Sequence, residues 1–455
     1  MFKFNINRLY IFLAISFIVI SFQPKSIQAI PAFSRKYQTS CVTCHIGFPK
    51  LTPFGEVFRI NGFRWMRNDE EMTKEQPVKL GSDAYKRVFP DAVWPSEMPG
   101  TSPVSFRAKT GFKFNPKDEI TSTFMLPTLQ IMTGGTFDEN ISFFAGAHLF
   151  EENQPGSIDR FYIRFSNLLI KYIPENILNI RFGQFIPDIV PFASNHRGTT
   201  LTAYAFNTFG PGQTSFIADH AHGGSFGLEA FQIGTEASGL INPRLRYTVG
   251  LVNGNGLGLP EEESATDDHG DDHGDESGGG ESGTGDNNSA KDIYGRVAFK
   301  FGGLNFEGIG SGSASKGNWV DNSLMIGIFL YNGNPSSEGT DLGLRRIGID
   351  FSFGIGDFFI YGGFISGYDE MLIKGDVMKS EYSLTSAEVN WVIYPWFLPT
   401  IRYELASPED VDSFSRIIPS LTLLVRSNIK IIAESTYNSN DSGFKGLNTQ
   451  LEFAF

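Results

Sequence analysis

Cysteine is nearly absent, with two in 455 residues. So few thiols exclude a disulfide scaffold, and they exclude a cysteine-built zinc module, which needs a second Cys/His pair. Beyond Phe22 no apolar run is long enough for a spanning helix, so a helical membrane bundle is excluded as well. Ser-His-Asp, Walker and dinucleotide motifs are missing in any plausible context, which leaves no case for nucleophilic, phosphoryl or hydride chemistry. Cations are outnumbered, 37 Lys and Arg against 50 Asp and Glu, and a net charge of −13 leaves no basic footprint for nucleic acid.

Both cysteines fall in one pentapeptide, Cys41-Val42-Thr43-Cys44-His45. Two thiols at that spacing can add to the two vinyl groups of one haem, and the adjoining histidine is placed to ligate the iron. The motif predicts one covalently attached haem c, with Cys41 and Cys44 as thioether sites and His45 as axial ligand. Export fits this chemistry. Lys3 and Arg8 precede an apolar stretch from Leu9 to Phe22, and Ser26-Ile27-Gln28-Ala29 offers small residues for cleavage. Residues 1–29 therefore read as a Sec-type signal peptide, too short in its apolar part for a comfortable membrane anchor.

Phe (43) and Gly (50) are both abundant in the chain, yet its mean hydropathy is only −0.13. From about residue 104 the sequence divides into alternating segments of nine to thirteen residues separated by Gly, Asn, Asp and Ser turns. A membrane strand of about 9–11 residues, with lipid on one face and a polar lumen on the other, has this pattern. The last ten residues show it best: Leu447, Thr449, Leu451, Phe453 and Phe455 share one face, while Asn448, Gln450, Glu452 and Ala454 share the other.

The fold expected is therefore all-β: a transmembrane antiparallel β-barrel of about 16–18 strands over 101–455, preceded by a short, mainly α, monohaem cytochrome c segment at 30–100. About seventeen segments alternate, the short run 304–310 among them, and a closed bacterial barrel needs an even number. The weakest stretch is 186–223, which reads as an extra strand or a constriction loop. Connections at 354–356, 394–396 and 427–428 are tight, whereas 368–380, 407–414 and 438–445 are longer and polar, so the C-terminus belongs on the short-turn, periplasmic side. Strand parity would put the acidic His/Asp/Gly loop 253–290 on that side too, but its length argues for the opposite one. That loop lacks the apolar residues that ordering requires, and His269 and His273 among its aspartates could at most collect divalent cations weakly.

In the haem segment, Thr52 can cap a helix, Pro53 suits its first turn and Gly62 can end it. Leu51, Phe54, Val57 and Phe58 would present an apolar face to a porphyrin. So small a segment cannot shelter a haem alone, which implies packing into the barrel mouth or lumen; a tethered periplasmic domain is the alternative. Met98, in the proline-bracketed run Pro95-Ser96-Glu97-Met98-Pro99-Gly100, is the first candidate for the second iron ligand, ahead of Met66 and Met72. From the barrel wall, His196, His220 or His222 could reach a lumenal haem.

The residues Pro31-Ala32-Phe33-Ser34-Arg35, the C-x-x-C-H motif, Phe48-Pro49-Lys50-Leu51, Phe54-Gly55, Phe58-Arg59 and Gly62-Phe63 form an array. It resembles the monohaem segment of outer-membrane cytochrome–porin fusions of the iron-oxidising type. Arg181-Phe182-Gly183-Gln184-Phe185 and Lys291-Asp292-Ile293-Tyr294-Gly295-Arg296 look like barrel segments of the same group. The resemblance implies an outer-membrane protein whose haem takes electrons from an extracellular reductant such as Fe(II) and passes them to a periplasmic electron carrier, a cytochrome. A solute porin whose haem is a plug or redox sensor is the rival reading.

Overall fold

The computed structural model describes residues 32–65, 69–93, 96–100, 103–116, 121–151, 154–156, 158–189, 195–206, 231–254, 289–310, 317–337, 340–373, 375–439 and 443–455. Residues 1–29, expected to be a signal peptide, and Met66, His220, His222, His269 and His273 lie outside the described residues.

Sixteen antiparallel strands close into a barrel. They are β1 Val104–Phe114, β2 Ser122–Asp138, β3 Ile141–Glu151, β4 Ile158–Phe165, β5 Asn179–Phe185, β6 Gln232–Asn242, β7 Leu245–Val252 and β8 Asp292–Gly302. The second half comprises β9 Ser323–Gly333, β10 Leu344–Ile355, β11 Phe358–Ile373, β12 Asp376–Trp391, β13 Phe397–Pro408, β14 Phe414–Arg426, β15 Ile429–Asn438 and β16 Gly443–Ala454. Closure is made by β16 against β1, from Leu447 opposite Phe114 to Ala454 opposite Arg107. The amphipathic C-terminal segment is thus a full strand with neighbours on both edges.

Burial alternates with the pleat, and its sense is inverted relative to a water-soluble protein. Outward residues are apolar and exposed: Val249, Ile293, Val297, Ile328, Ile347 and Ile349 each keep about half their surface open. The inward neighbours Arg246, Arg296, Arg346 and Asp350 are buried and polar. Their charges are compensated in the lumen, where Arg296 meets Asp350 at 2.6 Å and Arg346 meets Asp369 at 2.9 Å. Apolar out and charged in is the arrangement that hydrocarbon surroundings demand, because a closed barrel leaves no backbone edge unpaired.

Both barrel termini lie at one end, with the turns at 139–140, 243–244, 356–357 and 427–428. Two expectations need correction. Residues 304–310 are no strand: Gly302, Gly303, Gly308 and Gly310 all have positive φ, and the Asn305 side chain takes the amides of Glu307 and Ile309. Gly308 and Gly310 within the segment, and Gly303 just before it, take backbone angles that a pleated strand does not use, and removing this segment restores even parity. It also puts Val252 and Asp292, which bracket the acidic insert, at the long-loop end, as the loop's length required. The stretch 368–380 is likewise no loop, because β11 and β12 pair from Phe358–Trp391 through to Ile373–Asp376. Each of these strands has 16 residues, more than a bilayer needs, so the hairpin projects beyond it.

Candidate functional site

The segment before the barrel lies inside the terminus-bearing end of the lumen. Helix α1, Ala32–Tyr37, is tied to β1: the Ala32 amide donates to Ser105 Oγ (3.0 Å) and Arg35 donates to the Val104 carbonyl (3.1 Å). Cys41–Thr43 then forms a 3₁₀ turn that brings the two thiols to one side. A two-strand hairpin, His45–Gly47 against Lys50–Leu51, leads into helix α2, Pro53–Ile60. The predicted cap is present, with the Gly55 amide donating to Thr52 Oγ1 at 3.0 Å. Gly62 closes the helix at φ +75°. Thr52 has a second task, since its hydroxyl donates to the Thr43 carbonyl and its amide to the Cys44 carbonyl. Helix cap and C-x-x-C-H turn are therefore one structure.

Cys41, Cys44 and His45 line a single cavity, with about 280 Å³ open to the centres of water-sized molecules. Phe33, Leu51 and Phe58 wall it from the segment, and Met132, Phe144 and Tyr162 wall it from the barrel. Of the expected apolar face, Leu51 and Phe58 reach the cavity; Val57 is buried elsewhere. His45 Nδ1 lies 3.2 Å from the Pro49 carbonyl. A carbonyl only accepts, so Nδ1 carries the proton and Nε2 keeps its lone pair for a metal. Burial, with Lys430 and Arg107 nearby, pushes this imidazole down to about 4, which keeps it neutral. Burial also raises the Cys41 thiol and pushes Cys44 up to about 12, so neither is a reactive thiolate in the folded chain. Two free thiols, an imidazole with a bare Nε2 and an aromatic surround form a donor set that suits haem c.

Met98 is not brought to this cavity. It sits in a short hairpin against Val78 and is 46 % exposed. Met72 is in an exposed single-turn helix, Asp69–Met72. His196 lies close by, but its Nε2 is engaged with Glu56 at 3.2 Å. Sequence reasoning passed over Met132 and Tyr162, which read as ordinary strand residues, and Asp188 and Asn195, which hold the segment in place. Arg59 meets Asp188 at 3.2 Å, and the Leu51 amide donates to the Asn195 carbonyl at 2.8 Å. Around Glu56, burial opposes ionisation, but Arg59 and His196 together outweigh it and hold the carboxyl well below the usual range.

The stretch 186–223 folds inward over its described residues 195–206. Gly198 donates to Glu388 (2.6 Å), Thr200 and Leu201 to Glu434 (2.7 and 2.9 Å), and Tyr204 to Glu404 (2.9 Å). Beyond it, toward the long-loop end, Tyr204, Phe206, Tyr294, Phe329, Tyr331 and Leu344 pack into a lumenal cluster, each at most 5 % exposed. Over its described residues the stretch is an inward loop and forms no strand.

Fold and site together define a sixteen-strand transmembrane β-barrel, porin-like in architecture, with an N-terminal plug carrying a C-x-x-C-H motif. No family model and no curated relative matches the chain. Solved structures similar to it include an anion-selective porin from Comamonas acidovorans, at 13 % identity over 78 % of this chain and 99 % of that one, with TM-score 0.49. The outer membrane channel DcaP of Acinetobacter baumannii is similar at 9 % identity over 77 % and 96 %, TM-score 0.48. OmpF of Salmonella typhi, solved with daunomycin, is similar at 9 % identity over 78 % and 98 %, TM-score 0.49.

Proposed function

We propose that the chain is an outer-membrane c-type cytochrome of the cytochrome–porin fusion kind, moving single electrons between an extracellular donor, Fe(II) being the candidate, and a periplasmic cytochrome. One observation supports this reading: Cys41, Cys44 and His45 line one cavity that the N-terminal segment and the barrel wall enclose between them. Haem bound there supplies reversible one-electron exchange at its iron. Cys41 and Cys44 would hold it covalently, His45, oriented by the Pro49 carbonyl, would be its ligand, and Phe33, Phe58, Phe144 and Tyr162 would screen the site from water. The barrel provides an apolar exterior for lipid.

The rival, a solute porin with a haem plug, requires a water-filled passage. Inward side chains that a porin would leave wet are closed off here: Tyr331, Leu344 and Arg346 are fully buried. The decisive experiment is intact mass and visible spectroscopy of protein exported from a host with cytochrome c maturation. One haem of added mass is expected, with a spectrum that Fe(II) converts to the reduced form and an oxidised periplasmic cytochrome restores. A mature chain at its bare polypeptide mass would overturn the proposal, whereas haem that neither partner can reduce or oxidise would return the chain to the porin class.

A further inference from the structure

The donor set of the cavity is incomplete with His45 alone, because a low-spin electron-transfer haem takes a ligand on each face of the iron. Among the described residues that line the cavity, His45 is the only histidine, no lysine is present, and the remaining candidate donors are Met132, Tyr37, Tyr162 and Asp188, whose two oxygens are taken by Arg59 and Arg246. Tyr37 is committed elsewhere: its hydroxyl donates to Asp69 Oδ1 at 2.7 Å. Tyr162 lies against Arg181, whose guanidinium is 5.5 Å from the ring centre, and edge-on to Phe185. A phenolate opposite imidazole would also give a high-spin ferric iron, poorly suited to fast exchange.

Met132 is placed differently. It lies between Gln130 and Gly134 on the inward face of β2, where Gln130 bonds Asp159 inside the barrel and Gly134 abuts the Phe33 ring of the plug. Its partners across the two neighbouring strands are Ser105 and Gly146, both small. A Cβ built on Gly146 would stand 3.7 Å from Met132 Cγ, in ordinary contact, so the thioether lies directly beside this small residue. A flexible thioether among small residues, facing a cavity that holds two haem-attaching thiols and an imidazole, is a ligand arrangement more than a packing one.

We infer that Met132, on the barrel wall, is the second axial ligand of the haem iron, in place of Met98. The inference rests on the haem reading above. Its consequence is mechanical as well as electronic. Iron would be bonded to His45 of the plug and to Met132 of the wall, so haem would pin the N-terminal segment into the barrel. A thioether favours ferrous iron and raises the potential, as an acceptor of electrons from a weak donor requires.

The test uses full-length, haem-loaded protein and the variants Met132→Leu, Met132→His and Met98→Leu. Intact mass reports the haem, and the far-red sulfur-to-iron charge-transfer band of the ferric form reports the thioether. Wild type and Met98→Leu should both show the band. Met132→Leu should keep the haem mass, lose the band, bind carbon monoxide in the ferrous form and shift to a lower midpoint potential. Met132→His should return to low spin without the band, also at lower potential, which shows that the position reaches the iron even if the leucine variant folds poorly. Haem-loaded wild type without the band, or a band that survives in Met132→Leu or disappears in Met98→Leu, would overturn the ligand. A chain with no haem mass would overturn the haem reading itself, and the ligand with it.

Discussion

Arg59 of the plug and Asp188, just past strand β5, meet at 3.2 Å, and Asp188 also receives Arg246 of β7 at 2.5 Å. Glu56 completes the group by binding Arg59 at 2.7 Å. One carboxylate on the chain's inward excursion thus holds one arginine from the plug and one from the wall. Replacing Asp188 with Asn should leave two mostly buried guanidinium groups short of charge, at a cost of about 2 kcal/mol. Amide exchange over 53–60 should accelerate roughly 30-fold while the barrel strands stay protected. Unchanged exchange in the helix would show that the pair does not secure the plug.

A second expectation concerns Gly55. A Cβ there would lie 2.0 Å from the Cys44 carbonyl oxygen, a contact that only separation of helix and attachment turn can relieve. Gly55→Ala should therefore cost on the order of 3 kcal/mol locally. In protein made without haem, alkylation of Cys44 should be at least roughly tenfold faster than in the parent, where the residue is half-buried. Equal rates would mean that the turn and helix move apart freely.

Lys50 makes the docking pH-dependent. Its ammonium donates to the His196 carbonyl and lies 4.5 Å from the centre of the Tyr361 ring. Burial pushes the amine down to about 8, with Glu388 opposing. The folded value lies below that of the free side chain, so between about 8 and the ordinary lysine range the unfolded chain binds more protons. Stability of the docked segment should rise with pH across that window, and the cost of the buried charge is fully present below it. Thermal unfolding of the apo protein from about pH 7 to about pH 10 should show this rise, and Lys50→Met should flatten it. A fall in stability over that range would contradict the assignment.

How much of this was legible in the sequence depended on whether a local signal had a competitor. The C-terminal strand was readable because lipid and lumen impose opposite polarities on Leu451 and Glu452. Helix α2 was readable because Thr52, Pro53 and Gly62 are each favoured for a stereochemical reason at their positions. By contrast, Leu304 and Phe306 imitate strand alternation, and only the backbone angles of the surrounding glycines reveal a knot of turns. The run 368–380 looked like a loop because strands that project past the bilayer need no lipid face, so their polarity says nothing of their pairing. Met98 stands out for its prolines, while nothing marks Met132: which inward strand residue faces the C-x-x-C-H motif depends on how the N-terminal segment is inserted, and no local pattern encodes that.

Conductance separates the two functional classes most sharply. Loop 195–206 hangs on carboxylates of the far wall, Glu388, Glu404 and Glu434, each accepting at least one backbone amide from it. Glu404 is in turn held by Arg416 at 2.6 Å. The loop delivers Tyr204 and Phe206 to the buried cluster with Tyr331 and Leu344, so among the described residues the lumen is narrowed twice, by this loop and by the N-terminal segment. In planar bilayers the purified protein should therefore lack the steady conductance of an open sixteen-strand barrel. Removing residues 32–100 alone should not open it, because the apolar cluster remains. Opening should require Glu434→Ala together with that deletion: Glu434 carries the amides of both Thr200 and Leu201, and losing two charge-assisted bonds costs about 3 kcal/mol. A wide, stable pore in the unaltered protein would mean that the loop swings clear of the lumen, and a packed, electron-conducting interior would have to be abandoned in favour of solute passage.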